Sequence, residues 1–144
     1  MKVLGLKIVG HDTGAALVAD GRIVAIAEER LNRVKHSPYM FPTLAIDYCL
    51  NAINVKPNEV DLIVIDQVFL KEKYPMRELF LQAVGQRFSR ADIRVINHHD
   101  AHAATAFFCS PFPEAAVLIH DGAGEARVAR AHLWALEHGD LLRG

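Results

Sequence analysis

The chain has 144 residues, of which 51% are hydrophobic and 23% are charged, and its formal net charge is −1. This length suits one ordinary domain, and the composition is typical of a globular protein that buries a core. The nearly neutral charge offers no electrostatic basis for binding nucleic acid or an anionic membrane surface. The apolar runs are far shorter than the ~20 residues that a membrane-spanning helix needs. We therefore expect neither a nucleic-acid partner nor a membrane partner.

The cysteines and the N-terminal residues both indicate a reducing compartment. Cys49 and Cys109 each lie among apolar neighbours, which is typical of buried thiols and not of a disulfide framework. The first residues enter a strand pattern directly and lack the long apolar region and the cleavage site of a signal peptide. We therefore expect two buried, reduced cysteines and a cytoplasmic location.

Three short apolar segments at the start of the chain predict an antiparallel meander, because tight turn signals join them. The elements are strands at residues 3–9, 15–19 and 22–28, a glycine-containing turn at 10–14 and a two-residue hairpin at Asp20-Gly21.

The rest of the chain alternates helical patterns with buried, β-branched strand patterns. In chain order, the predicted elements are a charged, irregular segment at 29–39, a helix from Pro42 to about residue 54, a parallel strand at 60–65, a helix at 76–88, a strand at 93–96, a helix at 98–108, a strand at 115–119, a turn at 121–125 and a returning strand at 128–136.

This order predicts an α/β fold. Three antiparallel strands followed by parallel strands with crossover helices form the ribonuclease H-like half-domain of actin, sugar kinases and Hsp70. The last hairpin matches the start of a second such half. We therefore predict a first half-domain at residues 1–112 and the opening, incomplete hairpin of a second half-domain at 113–144.

Two histidines four residues apart are the most informative chemical signal. His98 and His102 would share one face of the predicted helix, and Asp121 follows a neighbouring strand. Two imidazoles and one carboxylate with open positions suit non-haem Fe(II) and, in other sites, Zn(II). The structural alternative is that His98 caps the helix and His102 is an ordinary histidine on its wall.

Glycine-containing turns after two strands are candidate ligand sites. In His11-Asp12-Thr13-Gly14, small residues allow backbone N–H groups to approach a phosphate, and His11 could serve as an acid or a base. The alternative is that Asp12 and Thr13 are ordinary turn residues. A similar pattern recurs around Gly122 and Gly124, which are therefore predicted to face a ligand as well.

The charged segment after the third strand is a candidate anion clamp. Arg33 offers the bidentate geometry that suits phosphate, while Lys35 and His36 add a point charge and an imidazole. The alternative is a solvated loop, although binding residues concentrate on loops that a scaffold holds in place.

Taken together, these motifs resemble the N-terminal part of the O-carbamoyltransferases of the NodU/CmcH type, relatives of the enzymes that make threonylcarbamoyl-adenosine in tRNA. The resemblance covers essentially the whole chain, and its specificity lies in the combination of motifs. The matching stretches are Val3-Leu4-Gly5-Leu6, His11-Asp12, Ala15-Ala16-Leu17-Val18, Asp20-Gly21-Arg22-Ile23, Ala27-Glu28-Glu29-Arg30, Arg33, Lys35-His36, Phe41-Pro42, Ala45-Ile46, Tyr48-Cys49-Leu50, Asn97-His98-His99, Ala101-His102-Ala103-Ala104, Phe107-Phe108 and Asp121-Gly122 with Gly124-Glu125.

The resemblance implies an actin-like domain that holds a divalent metal, Fe(II) first and Zn(II) or Mn(II) as alternatives, at His98, His102 and Asp121. It further implies that a YrdC-like domain makes carbamoyl-adenylate from ATP and carbamoyl phosphate. The actin-like domain would then transfer the carbamoyl group to a hydroxyl of a small-molecule acceptor.

The resemblance also assigns roles around the transferred group. His11 and Lys35 match catalytic positions: His11 would deprotonate the acceptor hydroxyl or orient the carbamoyl group, and Lys35 would stabilise charge on the adenylate. The residues expected to bind substrate or nucleotide are Asp12, Arg33, His36, Gly122 and Gly124.

The chain departs from the resembled family in two ways. The tRNA-modifying relatives carry Glu-Gly inside the His-x-x-x-His motif, whereas Asp100-Ala101 stands here, which favours the small-molecule branch. The rest of the actin-like fold and the YrdC-like domain have no counterpart in the sequence. We therefore expect the chain alone to be inactive and to need those parts, or a subunit that supplies them. The apolar surface left exposed would favour a homodimer.

Two other classes of function stay open. One is a non-catalytic module that binds a nucleotide or pairs with a subunit. The other is a small metal-dependent hydrolase, which the ligand set permits although the histidine pair lacks an adjacent glutamate of the His-Glu-x-x-His kind.

Overall fold

The computed structural model describes residues 1–67, 75–119 and 131–134. The helices and strands in chain order are β1 (Val3–Lys7), β2 (Gly14–Ala19), β3 (Arg22–Ala27), α1 (Glu29–Asn32), α2 (Thr43–Ala52), β4 (Leu62–Gln67), α3 (Met76–Val84), β5 (Asp92–Asn97), α4 (His98–Phe108), β6 (Ala115–Leu118) and β7 (Ala131–Trp134), with short 3₁₀ turns at Pro57–Glu59 and Gly85–Phe88. The chain divides into two compact units, Met1–Ile96 and Asn97–Gly144.

A five-stranded mixed sheet with the order β3-β2-β1-β4-β5 organises the first unit. The predicted meander is confirmed, since β1 pairs antiparallel with β2 and β2 pairs antiparallel with β3. Asp20 (φ 52°) and Gly21 (φ 73°) both take the left-handed backbone that a tight hairpin between twisted strands requires. β4 lies parallel to β1, as predicted for a strand that returns through a crossover.

The core of the first unit lies between this sheet and its helices. Alternate residues of β1 and β2 are buried, and α2 contributes Ala45, Ile46, Cys49 and Leu50. Phe80 is fully buried, with its ring centroid 5.7 Å from that of Phe88. This packed core makes the sheet rigid, and the rigid sheet supports the loops that connect its strands.

The second unit contains α4 and a two-stranded antiparallel sheet. β6 pairs with β7, which confirms the predicted returning hairpin over the part that the structure describes. Ala103, Phe107, Val117 and Ile119 form its core, so one face of α4 is buried against β6. The predicted turn at residues 121–125 lies outside the described residues.

Several predicted elements differ from the structure. The third strand ends at Ala27 and not at residue 28, and the segment predicted to be irregular begins with the helical turn α1. That helix stops at Arg33, whose left-handed backbone (φ 63°) ends the helical hydrogen-bonding pattern. The helix predicted at 76–88 changes to a 3₁₀ turn after Val84. These shifts fall at element ends, where flanking residues and packing decide the boundary.

The expectation of two buried cysteines is wrong for one of them. Cys49 is buried in α2, but Cys109 is exposed just after α4 ends. The apolar neighbours of Cys109 misled the prediction because Phe107 faces the core whereas Phe108 is exposed. Among the described residues, no helix has the length and apolar character that crossing a membrane demands.

Candidate functional site

Four polar side chains of the first unit meet where the β1–β2 turn approaches the segment after α1. We call His11, Asp12, Glu29 and His36 the Asp12 cluster. One carboxylate oxygen of Asp12 lies 2.5 Å from His11 Nδ1, and the other lies 2.8 Å from His36 Nδ1. The structure thus brings together three residues that sequence reasoning had placed in two separate motifs.

Backbone hydrogen bonds tie the two segments of the Asp12 cluster together. The Asp12 N–H donates to the His36 carbonyl at 2.6 Å, and the Tyr39 N–H donates to the Gly10 carbonyl at 2.7 Å. Asp12 (φ 56°) and His36 (φ 62°) both adopt left-handed backbone, which non-glycine residues rarely do. Such conformations cost free energy and persist where surrounding contacts hold them, often at ligand sites.

The electrostatics of the Asp12 cluster keep its central carboxylate charged. Hydrogen bonds from His36 and then His11 hold the pKa of the Asp12 carboxyl below its ordinary value of 3.8. The side chains stay open to solvent, since His11 is 75% and His36 57% exposed. An ionised carboxylate with two accessible imidazoles is suited to moving a proton near neutral pH.

Glu29 is the member of this cluster that sequence reasoning did not single out. Its Oε2 accepts a hydrogen bond from the His36 N–H at 2.7 Å. Ligand atoms of Asp12, Glu29 and His36 all lie within 4.8 Å of one another, so the three could hold a cation. The available signal was the position of Glu29 directly after the third strand, among other charged residues.

The two predicted cations of this region are both at the surface. Arg33 and Lys35 are exposed on the segment that leads from α1 to His36. The Arg33 N–H donates to the Glu29 carbonyl at 3.1 Å, so Arg33 closes the turn that ends α1. Lys35 precedes His36 in the chain, and this places its backbone next to the Asp12 cluster.

Glu28 has a structural role that the sequence did not reveal. Its side chain is 3% exposed, and its two oxygens accept from the N–H groups of Leu44 (3.3 Å) and Ala45 (2.8 Å) in the first turn of α2. The first N–H groups of a helix have no partner within the helix, so this carboxylate satisfies two of them. Glu28 thereby fixes the start of the segment that carries Lys35 and His36.

The predicted histidine pair forms in the second unit. Asn97 ends β5, and its side chain accepts from the His99 N–H at 2.8 Å, so Asn97 and not His98 caps α4. His98 Nε2 and His102 Nε2 are 3.1 Å apart on a face of the helix different from the buried face of His99. The structural alternative in which His98 is the helix cap is therefore wrong.

The geometry of the histidine pair fits two adjacent positions on one metal ion. Two imidazole nitrogens at about 2.1 Å from an ion, at right angles, are about 3.0 Å apart. The observed separation of 3.1 Å is that of a hydrogen bond between the two rings and is also close to this value, so both side chains can reach one ion. Three further predicted site residues, Asp121, Gly122 and Gly124, lie outside the described residues, so the third ligand stays a prediction.

An apolar cavity of about 470 Å³ lies in the first unit. Its walls include Val9, Tyr39, Phe41 and, as a polar side chain, Gln82. Val9 lies in the β1–β2 turn, and the Tyr39 N–H donates to the Gly10 carbonyl of that turn. The cavity is open to solvent, and its volume falls within the about 300–1,000 Å³ that small-molecule pockets typically measure.

Similar solved structures define the class of the fold. The chain superposes on YeaZ from Pseudomonas aeruginosa with a TM-score of 0.56 and 15% identity, covering 85% of this chain and 55% of that one. A second structure, of an uncharacterized protein with similarity to peptidase YEAZ from Pseudomonas aeruginosa, gives a TM-score of 0.55 at 16% identity and covers 85% of this chain and 55% of that one. The protein is thus an α/β protein with an actin-like fold, as predicted.

Sequence comparison identifies the family. The chain matches the family described as carbamoyltransferase N-terminus at residues 2–89 and 69–143, and it belongs to that family. It is 35% identical over 167 residues to the uncharacterized protein sll1178 of Synechocystis sp., covering 92% of this chain and 27% of that protein. It is 32% identical over 136 residues to the nodulation protein NolNO of Sinorhizobium fredii, covering 80% of this chain and 20% of that protein. The chain therefore spans about a quarter of the length of the first relative and a fifth of the length of the second.

Proposed function

We propose that the chain is the N-terminal part of an enzyme that transfers a carbamoyl group, through carbamoyl-adenylate, to a hydroxyl of a small-molecule acceptor. Membership of the carbamoyltransferase N-terminus family supports the class of enzyme. The observation that carries the assignment of the transfer site is the Asp12 cluster, in which one carboxylate bonds two accessible imidazoles. Such a unit can take a proton from a hydroxyl near neutral pH.

His11 acts as the base in the proposed transfer. The acceptor oxygen bonds to the carbamoyl carbon, and the bond from that carbon to the oxygen of the AMP phosphate breaks. The proton of the hydroxyl passes to His11, and AMP leaves with the electron pair of the broken bond. His11 suits this role because its side chain is 75% exposed, so an acceptor can reach it.

Lys35 and Arg33 stabilise the negative charge of the adenylate. Both side chains are exposed, and both residues lie on the short segment that leads from α1 to His36. A lysine supplies a point charge, and an arginine can bind two phosphate oxygens at once. Charge that develops on the leaving phosphate is the feature that such cations stabilise most.

His98 and His102, with Asp121 as the third ligand, hold a divalent metal, for which Fe(II) is the first candidate. The 3.1 Å separation of the two Nε2 atoms supports this role. When bound, the ion supplies Lewis-acid polarisation and a template for the nucleotide phosphate.

The adenylate comes from elsewhere in the intact enzyme. This chain spans 27% and 20% of the two relatives, which leaves room in such proteins for a domain of the YrdC kind that uses ATP and carbamoyl phosphate. We expect these 144 residues alone to show no carbamoyl transfer. The apolar cavity beside the β1–β2 turn is the space that we assign to the acceptor.

The test of the transfer step separates it from adenylate formation. The full-length protein is incubated with ATP and carbamoyl phosphate, and pyrophosphate release is measured alongside carbamoylation of a panel of hydroxyl compounds. His11→Ala should lose transfer by roughly 10²-fold or more and keep pyrophosphate release. ATP binding without pyrophosphate release in the wild type would favour a non-catalytic nucleotide-binding module instead.

Lysine substitutions test the charge at the site. Lys35→Ala should lower transfer, whereas Lys56→Ala, at another exposed lysine, serves as the matched control and should leave transfer unchanged. If both substitutions lowered transfer equally, Lys35 would have no specific role at the site.

The metal role is tested by metal content as well as by transfer. His98→Ala and His102→Ala should each lower the bound Fe(II) or Zn(II), measured by elemental analysis after reconstitution. Thr105→Ala, on the same helix, is the control. Full metal content in both histidine variants would rule out the assigned ligands.

A further inference from the structure

Asp12 is bonded to both imidazoles of its cluster through the same type of ring atom. Its Oδ2 lies 2.5 Å from His11 Nδ1, and its Oδ1 lies 2.8 Å from His36 Nδ1. An ionised carboxylate only accepts hydrogen bonds, so each Nδ1 must carry the proton. In a neutral imidazole, the other nitrogen is then the basic one.

The backbone leaves this arrangement little freedom to change. The Asp12 N–H is bonded to the His36 carbonyl, and the His36 N–H is bonded to the Glu29 carboxylate. His36 is therefore held through both its backbone and its ring, and His11 through its ring and through its chain neighbour Asp12, while the two side chains remain 57% and 75% exposed. Such a unit is rigid on the protein side and open on the substrate side.

We infer that Asp12 is a positioning residue that holds His11 and His36 as Nδ1–H tautomers, so that Nε2 of His11 is the atom that takes the proton of the acceptor. Sequence reasoning had expected Asp12 and His36 to bind substrate or nucleotide. Direct binding of a phosphate by Asp12 is disfavoured because two negative charges would face each other. The catalytic part of this inference rests on the proposed function, whereas the assignment of the tautomers does not.

A cation bound by Asp12, Glu29 and His36 is the competing arrangement. Two ligand atoms on a tetrahedral zinc ion are about 3.3 Å apart, which follows from bond lengths of about 2.0–2.1 Å. The Asp12–His36 separation of 2.8 Å is that of a hydrogen bond and is shorter than this value. A metal at His36 Nδ1 would also have to displace the proton that the inference requires there.

The tautomers are read directly by long-range ¹H–¹⁵N NMR on protein labelled with ¹⁵N-histidine, at a pH where the imidazoles are neutral. His11→Gln and His36→Gln assign the two ring systems. We expect both rings to be protonated at Nδ1. A wild-type spectrum with either ring protonated at Nε2, or with Nδ1 of His36 shifted by added Zn²⁺, would overturn the inference.

Asp12→Asn tests the cause of the tautomers, because the carboxamide offers one acceptor oxygen and one donor group in place of two acceptors. At least one imidazole should change its tautomer. Asp20→Asn is the matched control, since Asp20 is also exposed and also left-handed (φ 52°), and it should change neither ring. Because the tautomers are read on the wild-type protein, the inference can be overturned even if the Asp12→Asn protein folds poorly.

Kinetics distinguish positioning from substrate binding. Asp12→Asn should lower kcat for transfer by roughly 10²-fold, as expected when a general base is misoriented, and should change the KM for ATP little. A raised KM with unchanged kcat would assign Asp12 to substrate binding and overturn its positioning role. If no hydroxyl compound is carbamoylated by the wild type, the proposed function fails, and the NMR result still decides the tautomers.

Discussion

The carboxylate of Glu28 accepts a hydrogen bond from the Ala45 N–H at 2.8 Å, and this contact joins the end of β3 to the first turn of α2. Both residues are buried. The bond spans 17 positions of the chain. It anchors one end of the segment that bends back to place His36 against Asp12.

Replacing Glu28 should destabilise the protein. Glu28→Ala leaves helix N–H groups near the core without their acceptor, so we expect a loss of about 2 kcal/mol in the free energy of unfolding. Glu28→Gln, which retains one acceptor oxygen, should cost less. Denaturant unfolding measures both, and Glu114→Gln at an exposed position is the control, expected within about 0.5 kcal/mol of wild type. An equal effect at the two positions would contradict the role of Glu28.

Gly14 should not tolerate alanine, although it lies in a strand and not in the turn that sequence reasoning assigned to it. A Cβ at Gly14 would lie 2.9 Å from the Ile26 carbonyl oxygen, a backbone atom of the paired strand β3. We expect Gly14→Ala to cost about 1–3 kcal/mol in denaturant unfolding. Gly5→Ala is the matched control, because its Cβ would meet its nearest neighbour at an ordinary 3.7 Å. A loss at Gly5 as large as that at Gly14 would refute the steric explanation.

The two cysteines should differ in reactivity. Burial raises the pKa of the Cys49 thiol above its ordinary value, and its Sγ lies 3.5 Å from the carbonyl oxygens of Ala15 and Val24. Cys109 is exposed. Since the thiolate is the reactive form, Ellman's reagent should modify Cys109 at least roughly 10-fold faster than Cys49 in the native protein. Cys109→Ser should remove the fast phase, and denaturation should make the remaining thiol react rapidly.

Asp12 should contribute to stability in a pH-dependent way. Its hydrogen bonds to His36 and His11 lower the pKa of the folded carboxyl below the ordinary value of 3.8. The folded state then binds the proton less readily than the unfolded state, so the contribution is fully present above about pH 4 and is lost as the pH falls through the lowered pKa. The difference in melting temperature between wild type and Asp12→Asn should therefore shrink below pH 4. A difference that stays constant down to pH 2.5 would contradict this, and Asp20→Asn supplies the baseline.

Much of the fold could be predicted from the sequence because its signals are local. The meander followed from strand periodicity and from Asp20-Gly21, whose left-handed backbone the structure confirms. The helix α4 was predicted with the bounds that it has, and its alanines indicated a closely packed face, but its cap, Asn97, was recognised only in the structure. In contrast, the exposure of Cys109 depends on which side of the helix end faces the core, and neighbouring apolar residues do not reveal that.

The sequence by itself determined the family, the fold class and the residue types that can move a proton or bind a metal. Local motifs identify the family and these residue types, and short-range periodicity identifies the helices and strands of the fold. Only the tertiary structure decided how those residues pair. Glu28 and His36 belong to one charged run, yet Glu28 is buried, where its carboxylate accepts from the start of α2. His36 instead lies 24 positions from Asp12 and binds the Asp12 carboxylate together with His11. Contacts between distant residues depend on backbone hydrogen bonds such as that from Asp12 to His36, and these form when the sheet and its loops pack together.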